Sequence, residues 1–307
     1  MAKYNQPDPR NANTWCWVDG LVKREDARIS VLDSVVQGGD AVWEGLRVDG
    51  GRIFQMEEHL QRLQDSAHAL MFTGIPTTSE VQDAIFKTLE ANGMTEGVHI
   101  RLTLTRGAKS TSGMDPRLNI HGCTLIILPE YKGPVYGTGA LRLITSSIRR
   151  NGPSYLDSKI HHNNLLNNIL AKIQANHAGA DDAVMLDDRG FIAETNATNL
   201  FFIHKKVLCT PFGHACLPGI TRAYILDLAR NLNISVREGD FSLTQLYSAD
   251  EAFTTGTMGG IAHIVEVDGR RIGPVDSEGP GDLTLQLQKA YPLHIPAVNL
   301  PFLSSSA

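Results

Sequence analysis

Between Pro153 and Phe202 the chain passes from a helical pattern to three short strand patterns, which restricts it to folds that lay helices on a sheet. Leu165, Leu166, Ile169, Leu170 and Ile173 recur as one apolar stripe, predicting a helix that stops at Ala178-Gly179. The apolar run Ala183 to Leu186 then leads into a turn at Asp187-Asp188-Arg189-Gly190. A second strand, Phe191-Ile192-Ala193, delivers Glu194 at its end, and a third follows at Leu200 to Ile203. Lys159 stands in the loop before the helix. A lone lysine is usually a solvated surface cation, and a strand-terminal glutamate is usually the wet end of a strand. Their shared framing, a loop lysine followed by a helix, a hairpin and a carboxylate, is what suggests a site.

At 307 residues the chain can bury a sizeable core, and its length predicts two domains or one large one. A formal charge of −5, with no basic run longer than Ile148-Arg149-Arg150, argues against a general nucleic-acid or anionic-membrane binder. No stretch approaches the roughly eighteen apolar residues of a spanning helix. The polar lead MAKYNQPDPRNANTW has no signal-peptide core. Cysteines 16, 123, 209 and 216 show no C-x-x-C spacing, so reduced thiols and a cytoplasmic protein are expected.

Short strands are predicted at Trp15 to Val18 and Arg28 to Leu32, then a glycine-bounded segment from Gly38 to Gly51. Helices are predicted from Met56 to Met71, on a stripe of Leu60, Leu63, Ala67, Leu70 and Met71, and from Ser79 to Ala91. Val98 to Thr105 alternates cleanly, with Val98, Ile100, Leu102 and Leu104 on one face and His99, Arg101, Thr103 and Thr105 on the other. That polar face reads either as the wet side of a sheet or as the wall of a cleft. Cys123 to Leu128 is another strand, and Lys132 to Gly139, rich in Gly and Pro, is the linker candidate. The division expected is a small N-terminal domain (1–132), a linker (133–139) and a C-terminal domain (140–307). Gly137-Thr138-Gly139 half-matches a dinucleotide fingerprint but lacks the third glycine and the following helix. Leu217 to Arg222 opens a helix whose first turn offers free N–H groups to an anion. Strands are predicted at Ile234 to Val236 and Ala252 to Thr255, and a final helix from Asp282 to Tyr291. His161 and His162 are adjacent and lack a companion ligand set, so no metal is expected.

The fragments K-x-x-x-N-x-L and E-x-x-x-x-N-L-F stand here as Lys159, Asn163, Leu165 and as Glu194, Asn199, Leu200, Phe201. With HLQRLQDSA (His59 to Ala67), LPGITR (Leu217 to Arg222) and Gly256-Thr257, they appear in the order of the class IV, fold type IV pyridoxal-phosphate (PLP) aminotransferases. The chain resembles that family from about Val18 to Tyr291, and within it the branched-chain amino acid aminotransferases. The resemblance implies a mixed α and β (α+β) fold of D-amino acid aminotransferase type, with a smaller N-terminal α/β domain and a larger, barrel-like C-terminal domain with helices. It implies that Lys159 forms the Schiff base (internal aldimine) with the cofactor and shuttles the Cα proton. Glu194 would keep the ring nitrogen protonated. Arg62, Ile220, Thr221, Gly256 and Thr257 would hold the phosphate. A homodimer completed across its interface is implied as well, with the long loop after Arg106 among its functional parts.

For the substrate, the resemblance assigns Trp43 as an aromatic wall, Arg101 as the carboxylate-recognising arginine and Tyr131 as a pocket tyrosine. The chain departs from the pattern at four positions. Asn164 replaces the tyrosine that hydrogen-bonds the cofactor's phenolic oxygen, Gly38 and His99 replace aromatic residues, and Met258 replaces a smaller one. The expected reaction is amino transfer from a branched-chain L-amino acid to the 2-oxo acid 2-oxoglutarate. D-amino acid or (R)-amine transamination and an aminodeoxychorismate-type lyase are the alternatives on the same fold. A cofactor-free Schiff-base enzyme or a non-catalytic binding protein is the alternative of another class.

Overall fold

The alternation along Val98–Thr105 makes it the central strand of an antiparallel sheet, buried on its apolar face. The computed structural model describes residues 8–136, 140–273 and 279–306; residues 137–139, with the end of the expected linker and the half-matched fingerprint, lie outside them. The first sheet contains β1 (Trp15–Val18), β2 (Leu21–Lys23), β3 (Ala41–Asp49), β4 (Arg52–Phe54), β5 (Val98–Thr105) and β6 (Thr124–Tyr131). A closing strand, Ala297–Asn299, pairs antiparallel with β4 and completes the order closing strand, β4, β3, β5, β6, β1, β2. Its helices are α1 (Ser34–Gly38), α2 (Met56–Ala69) and α3 (Thr78–Asn92). Thr77 and Glu80 form a reciprocal capping box at the start of α3, and Gly93 ends it in the left-handed region. Leu60 and Leu63 of α2, Ile85 and Leu89 of α3 and Ile100 and Leu102 of β5 share one core.

The second sheet comprises β7 (Leu141–Thr145), β8 (Asp182–Leu186), β9 (Ile192–Thr195), β10 (Asn199–His204), β11 (Val207–Pro211), β12 (Val236–Gly239), β13 (Glu251–Gly256), β14 (Gly260–Val267) and β15 (Arg270–Arg271). It runs β12-β11-β10-β13-β14-β7-β8-β9, with β15 attached to β14. Its helices are α4 (Leu166–His177), α5 (Ile220–Asn231), α6 (Leu243–Tyr247) and α7 (Asp282–His294). Phe201 and Phe253 stack between β10 and β13 over a core shared with Ile225 and Leu228 of α5. The fold is mixed α and β.

Two units result. One holds residues 8–133 with Ile160–Asn164 and the segment from Pro296; the other holds Pro134–Lys159 and Leu165–Ile295. Backbone pairing explains the first unit's two distant additions. Along β3, β4 pairs with Val48 and Asp49 alone, which leaves the first half of β3 with a bare edge. The segment from Ile160 covers that edge: Trp43 N–H donates to the His161 carbonyl (2.9 Å) and Asn163 N–H to the Ala41 carbonyl (2.8 Å). The closing strand in turn covers the outer edge of β4.

Three local expectations fail. Arg28 to Leu32 forms no strand, and its apolar members Ile29 and Val31 are exposed; β2 takes the place beside β1 instead. Met71 lies past the end of α2 at φ 55°, exposed. The stripe on α4 has the predicted period but faces outward: Leu166 is 70% exposed, while the helix packs inward through Ala171 and Ala175. Small alanines allow close approach to β8, and the larger side chains take the opposite face.

Candidate active site

Glu194, second from the end of β9, is buried among donors. Arg150 Nε reaches its Oε1 at 2.6 Å and Leu217 N–H the same oxygen at 3.3 Å, while Asn199 Nδ2 reaches Oε2 at 3.1 Å. Burial raises the Glu194 pKa, and Arg150 works against that rise. A carboxylate so placed has an anionic oxygen fixed in a low-dielectric setting, suited to a ring N–H cation. Asn199 also donates to the Leu217 carbonyl (3.0 Å), which ties Glu194 to the turn before α5. At that turn a Cβ on Gly219 would sit 1.9 Å from Asn199 Oδ1, so any side chain would push Asn199 off its bonds to Glu194 and Leu217. The first turn of α5 leaves backbone N–H groups unpaired inside the helix. Thr221 Oγ1 is buried with no hydrogen-bond partner among the described residues. An unpaired buried hydroxyl at an open helix N-terminus fits a phosphate. Gly256 ends β13, and Thr257 begins the half-buried turn to β14, which Met258 shares.

Lys159 lies in a turn seven residues before α4, its N–H donating to Asp157 Oδ1 (3.0 Å) and its Nζ 3.4 Å from the same oxygen. It lines a cavity of about 280 Å³ with Tyr155, Asp187, Arg189 and His214. Its side chain is 45% exposed, so the polypeptide alone does not desolvate the amine. The flanking run Gly152-Pro153-Ser154 and Ser158 offers little side-chain bulk to cover it.

Arg62 sits in the other unit, on α2. It clasps Glu44 with both ends of its fork, Nε to Oε1 at 2.7 Å and Nη2 to Oε2 at 2.8 Å. His59, one turn before it, meets Glu44 Oε2 at 2.7 Å, and His161 Nδ1 meets Oε1 at 3.0 Å. Glu44 is fully buried; that burial opposes its charge, yet His161 and Arg62 hold its pKa well below the usual carboxylate range. Burial pushes the His161 pKa down to about 4, against the pull of Glu44. Above that value the ring is neutral and reaches Glu44 only through the Nδ1 hydrogen bond, which leaves Arg62 as the charge facing the carboxylate.

On the polar face of β5, Arg101 lies with its Cζ 3.4 Å from the centroid of Trp43 and its Nη2 3.0 Å from Asn163 Oδ1. Among the described residues no carboxylate forms an ion pair with it. Burial lowers the Arg101 pKa to about 10, with Glu44 pulling it back up in return. His99, two residues earlier, is pushed down to about 4 by burial, with Lys132 adding to the effect. The face is a half-buried wall rather than a wet one. Gly45, opposite Arg101, leaves room beside the His99 ring, whose Nε2 would lie 3.5 Å from a Cβ there. Gly38 closes α1 with open space at its Cβ position. Asn164 donates to the carbonyl of Gly39 at 3.0 Å, so here it holds the end of α1. Tyr131 is not brought to this face. It pairs with Val98, and its side chain packs on the apolar core, because neighbouring strand residues alternate sides.

Three partners escaped the sequence reading. Arg150 belongs to what looks like a surface basic run, yet it is buried against Glu194. Glu44 shares the phase of Val42, Leu46 and Val48 on β3, so a charge on the apolar phase was the available signal. His59 lies one turn from Arg62, the spacing that puts both on one side of a helix.

Residues 41–267 match the amino-transferase class IV family. The chain is 55% identical to branched-chain-amino-acid aminotransferase-like protein 2 of Arabidopsis thaliana over 93% of its own length, and it spans about half (51%) of that relative. It is 36% identical to the branched-chain-amino-acid aminotransferase of Pseudomonas aeruginosa, covering 90% of this chain and 91% of that one. Its structure superposes with a TM-score of 0.83 on the T.th. branched-chain amino acid aminotransferase complexed with N-(5'-phosphopyridoxyl)-L-glutamate, at 32% identity over 93% of this chain and 94% of that one. No helix among the described residues is long and apolar enough to cross a membrane. With a matched family span that takes in both sheets, the chain belongs to the class IV aminotransferases, which are pyridoxal-phosphate-dependent enzymes.

Proposed function

We propose that this chain transfers the amino group of a branched-chain L-amino acid to 2-oxoglutarate. The observation that carries the reading is the ion-paired, buried Glu194 in the same unit as the open N-terminus of α5, whose Thr221 hydroxyl has no partner among the described residues. When bound, PLP supplies an electron sink for the bond-breaking at the substrate Cα. Lys159 holds the cofactor through its Nζ and moves the proton at Cα. Glu194 keeps a proton on the ring nitrogen, helped by Arg150 and Asn199, which fix both carboxylate oxygens. Ile220, Thr221, Gly256 and Thr257 would donate to the phosphate, while Arg62, in the other unit, is held by Glu44. Asn164 spends one amide N–H on the Gly39 carbonyl, which anchors it at the end of α1. Arg101, a half-buried guanidinium whose partners among the described residues are an amide and an indole face, receives the carboxylate of the acceptor. Trp43, with His99 beside it across Gly45, is the apolar wall for the side chain.

The same reading takes the protein to be a cytoplasmic homodimer. Four free cysteines fit a reducing compartment. The exposed stripe Leu166, Ile169, Leu170 and Ile173 on α4 supports self-association: it carries no charge, so it neither repels its own copy nor selects a charged partner. A donor panel against 2-oxoglutarate and pyruvate tests the reaction. L-leucine, L-isoleucine and L-valine with 2-oxoglutarate should lead; faster turnover of D-amino acids or (R)-amines would overturn the substrate assignment.

A further inference from the structure

We infer that His161 is a positioning residue for the carboxylate-binding arginine, forming the base of a three-tier stack His161, Trp43, Arg101. The inference rests on the reading of Arg101 given above. The His161 ring lies 4.1 Å from the Trp43 ring, centroid to centroid, at 39°. The Arg101 guanidinium lies 3.4 Å from the Trp43 ring centroid. Each tier is anchored separately. His161 is fixed by Glu44 Oε1 through Nδ1 (3.0 Å) and by Ser66 Oγ, which accepts its backbone N–H (3.1 Å). Trp43 is fixed by its Nε1 donating to the His162 carbonyl (3.2 Å). Arg101 is fixed by Asn163 Oδ1 (3.0 Å).

Residues 161–163 therefore touch every tier, and they do so from the bare edge of β3, where a single short segment can reach both faces of the strand. An arginine side chain has several rotatable bonds, and its planar fork recognises a carboxylate only in one orientation. A flat indole below it removes that freedom before substrate arrives, which lowers the ordering cost of binding. The indole stays in place because a buried imidazole supports it, and the imidazole stays because Glu44 and Arg62 form a fixed ion pair behind it. The His161 ring never meets the acceptor; it acts through Trp43.

The test compares His161→Ala, His161→Gln and Arg101→Ala in the PLP-loaded protein, with calorimetric Kd for 2-oxoglutarate and steady-state kinetics. His161→Ala should weaken 2-oxoglutarate binding and raise its KM by about tenfold, with kcat at saturation within about twofold. KM for a donor amine lacking a carboxylate should not move. His161→Gln, which keeps a donor toward Glu44 but loses the ring, should recover thermal stability while leaving the KM defect, separating stacking from mere structural support. If Arg101→Ala raises KM for 2-oxoglutarate but neither His161 variant does, the positioning role is wrong and the reading of Arg101 stands. If Arg101→Ala leaves KM unchanged, both fall. If His161→Ala does not fold, His161→Gln alone decides, by the same KM and Kd.

Discussion

Arg150 donates Nε to Glu194 Oε1 across 2.6 Å with both side chains buried, so each charge in the pair depends on the other. Removing one partner strands a buried charge, a loss of about 3–5 kcal/mol, whereas removing both spares that penalty. Arg150→Met and Glu194→Gln should each lower the unfolding free energy of the cofactor-free protein strongly, and the double variant by clearly less than their sum. Urea unfolding in a double-mutant cycle measures this, and additive losses would contradict a coupled pair.

Thr221 offers the opposite sign. Its hydroxyl is buried without a partner among the described residues, so Thr221→Val should leave the cofactor-free protein as stable or slightly more stable. The same change removes a donor to a charged phosphate, about 1.5–3 kcal/mol, or roughly ten- to a hundredfold in PLP affinity. Fluorescence titration with PLP alongside thermal melts separates the two; lost stability with intact affinity would make Thr221 a core residue.

The residues assigned to the cofactor stand in continuous motifs, whereas those assigned to the substrate are scattered along the chain. Strand alternation located β5 to the residue, and the Gly219 turn, Glu194 and Lys159 stand in continuous motifs. The network around Glu44 was hidden because its members come from β3, α2 and the segment after Lys159, and only the edge pairing of that segment brings them together. Tyr131 was misplaced for a smaller reason: one residue of register on β6 decides which face a side chain takes. The stripe on α4 had its period but not its direction, since apolar spacing alone does not tell a core from an exposed face.

Acid should destabilise the fold before it protonates the carboxylates. His161 and His99 are both held down to about 4 by burial, against an ordinary value near 6.5. From about pH 6.5 downward the unfolded chain binds protons on these rings while the folded chain does not, so stability falls as pH drops toward about 4 and is fully present above about 6.5. The groups facing His161 are Glu44, Arg62 and His59; those near His99 are Lys132, Glu130 and Arg101. Between pH 7 and 4.5 His161 should contribute a loss on the order of 1–3 kcal/mol. His161→Gln should flatten that slope in chemical denaturation, and an unchanged slope would show that His161 is protonated in the folded state.

The outward stripe of α4 sets an expectation for assembly. Ile169→Lys combined with Leu170→Lys places two charges on that face and should shift sedimentation from dimer to monomer without lowering the helical signal in circular dichroism. A dimer that survives both changes would place its interface elsewhere.

The role of Lys159 can be read directly. Borohydride reduction of the PLP-loaded protein, followed by proteolysis and mass spectrometry, should place a single pyridoxyl group on the peptide containing Ser158-Lys159-Ile160, with loss of the label in Lys159→Ala. A pyridoxyl group on any other lysine, or none on a protein that still retains PLP and transaminates, would contradict the assignment.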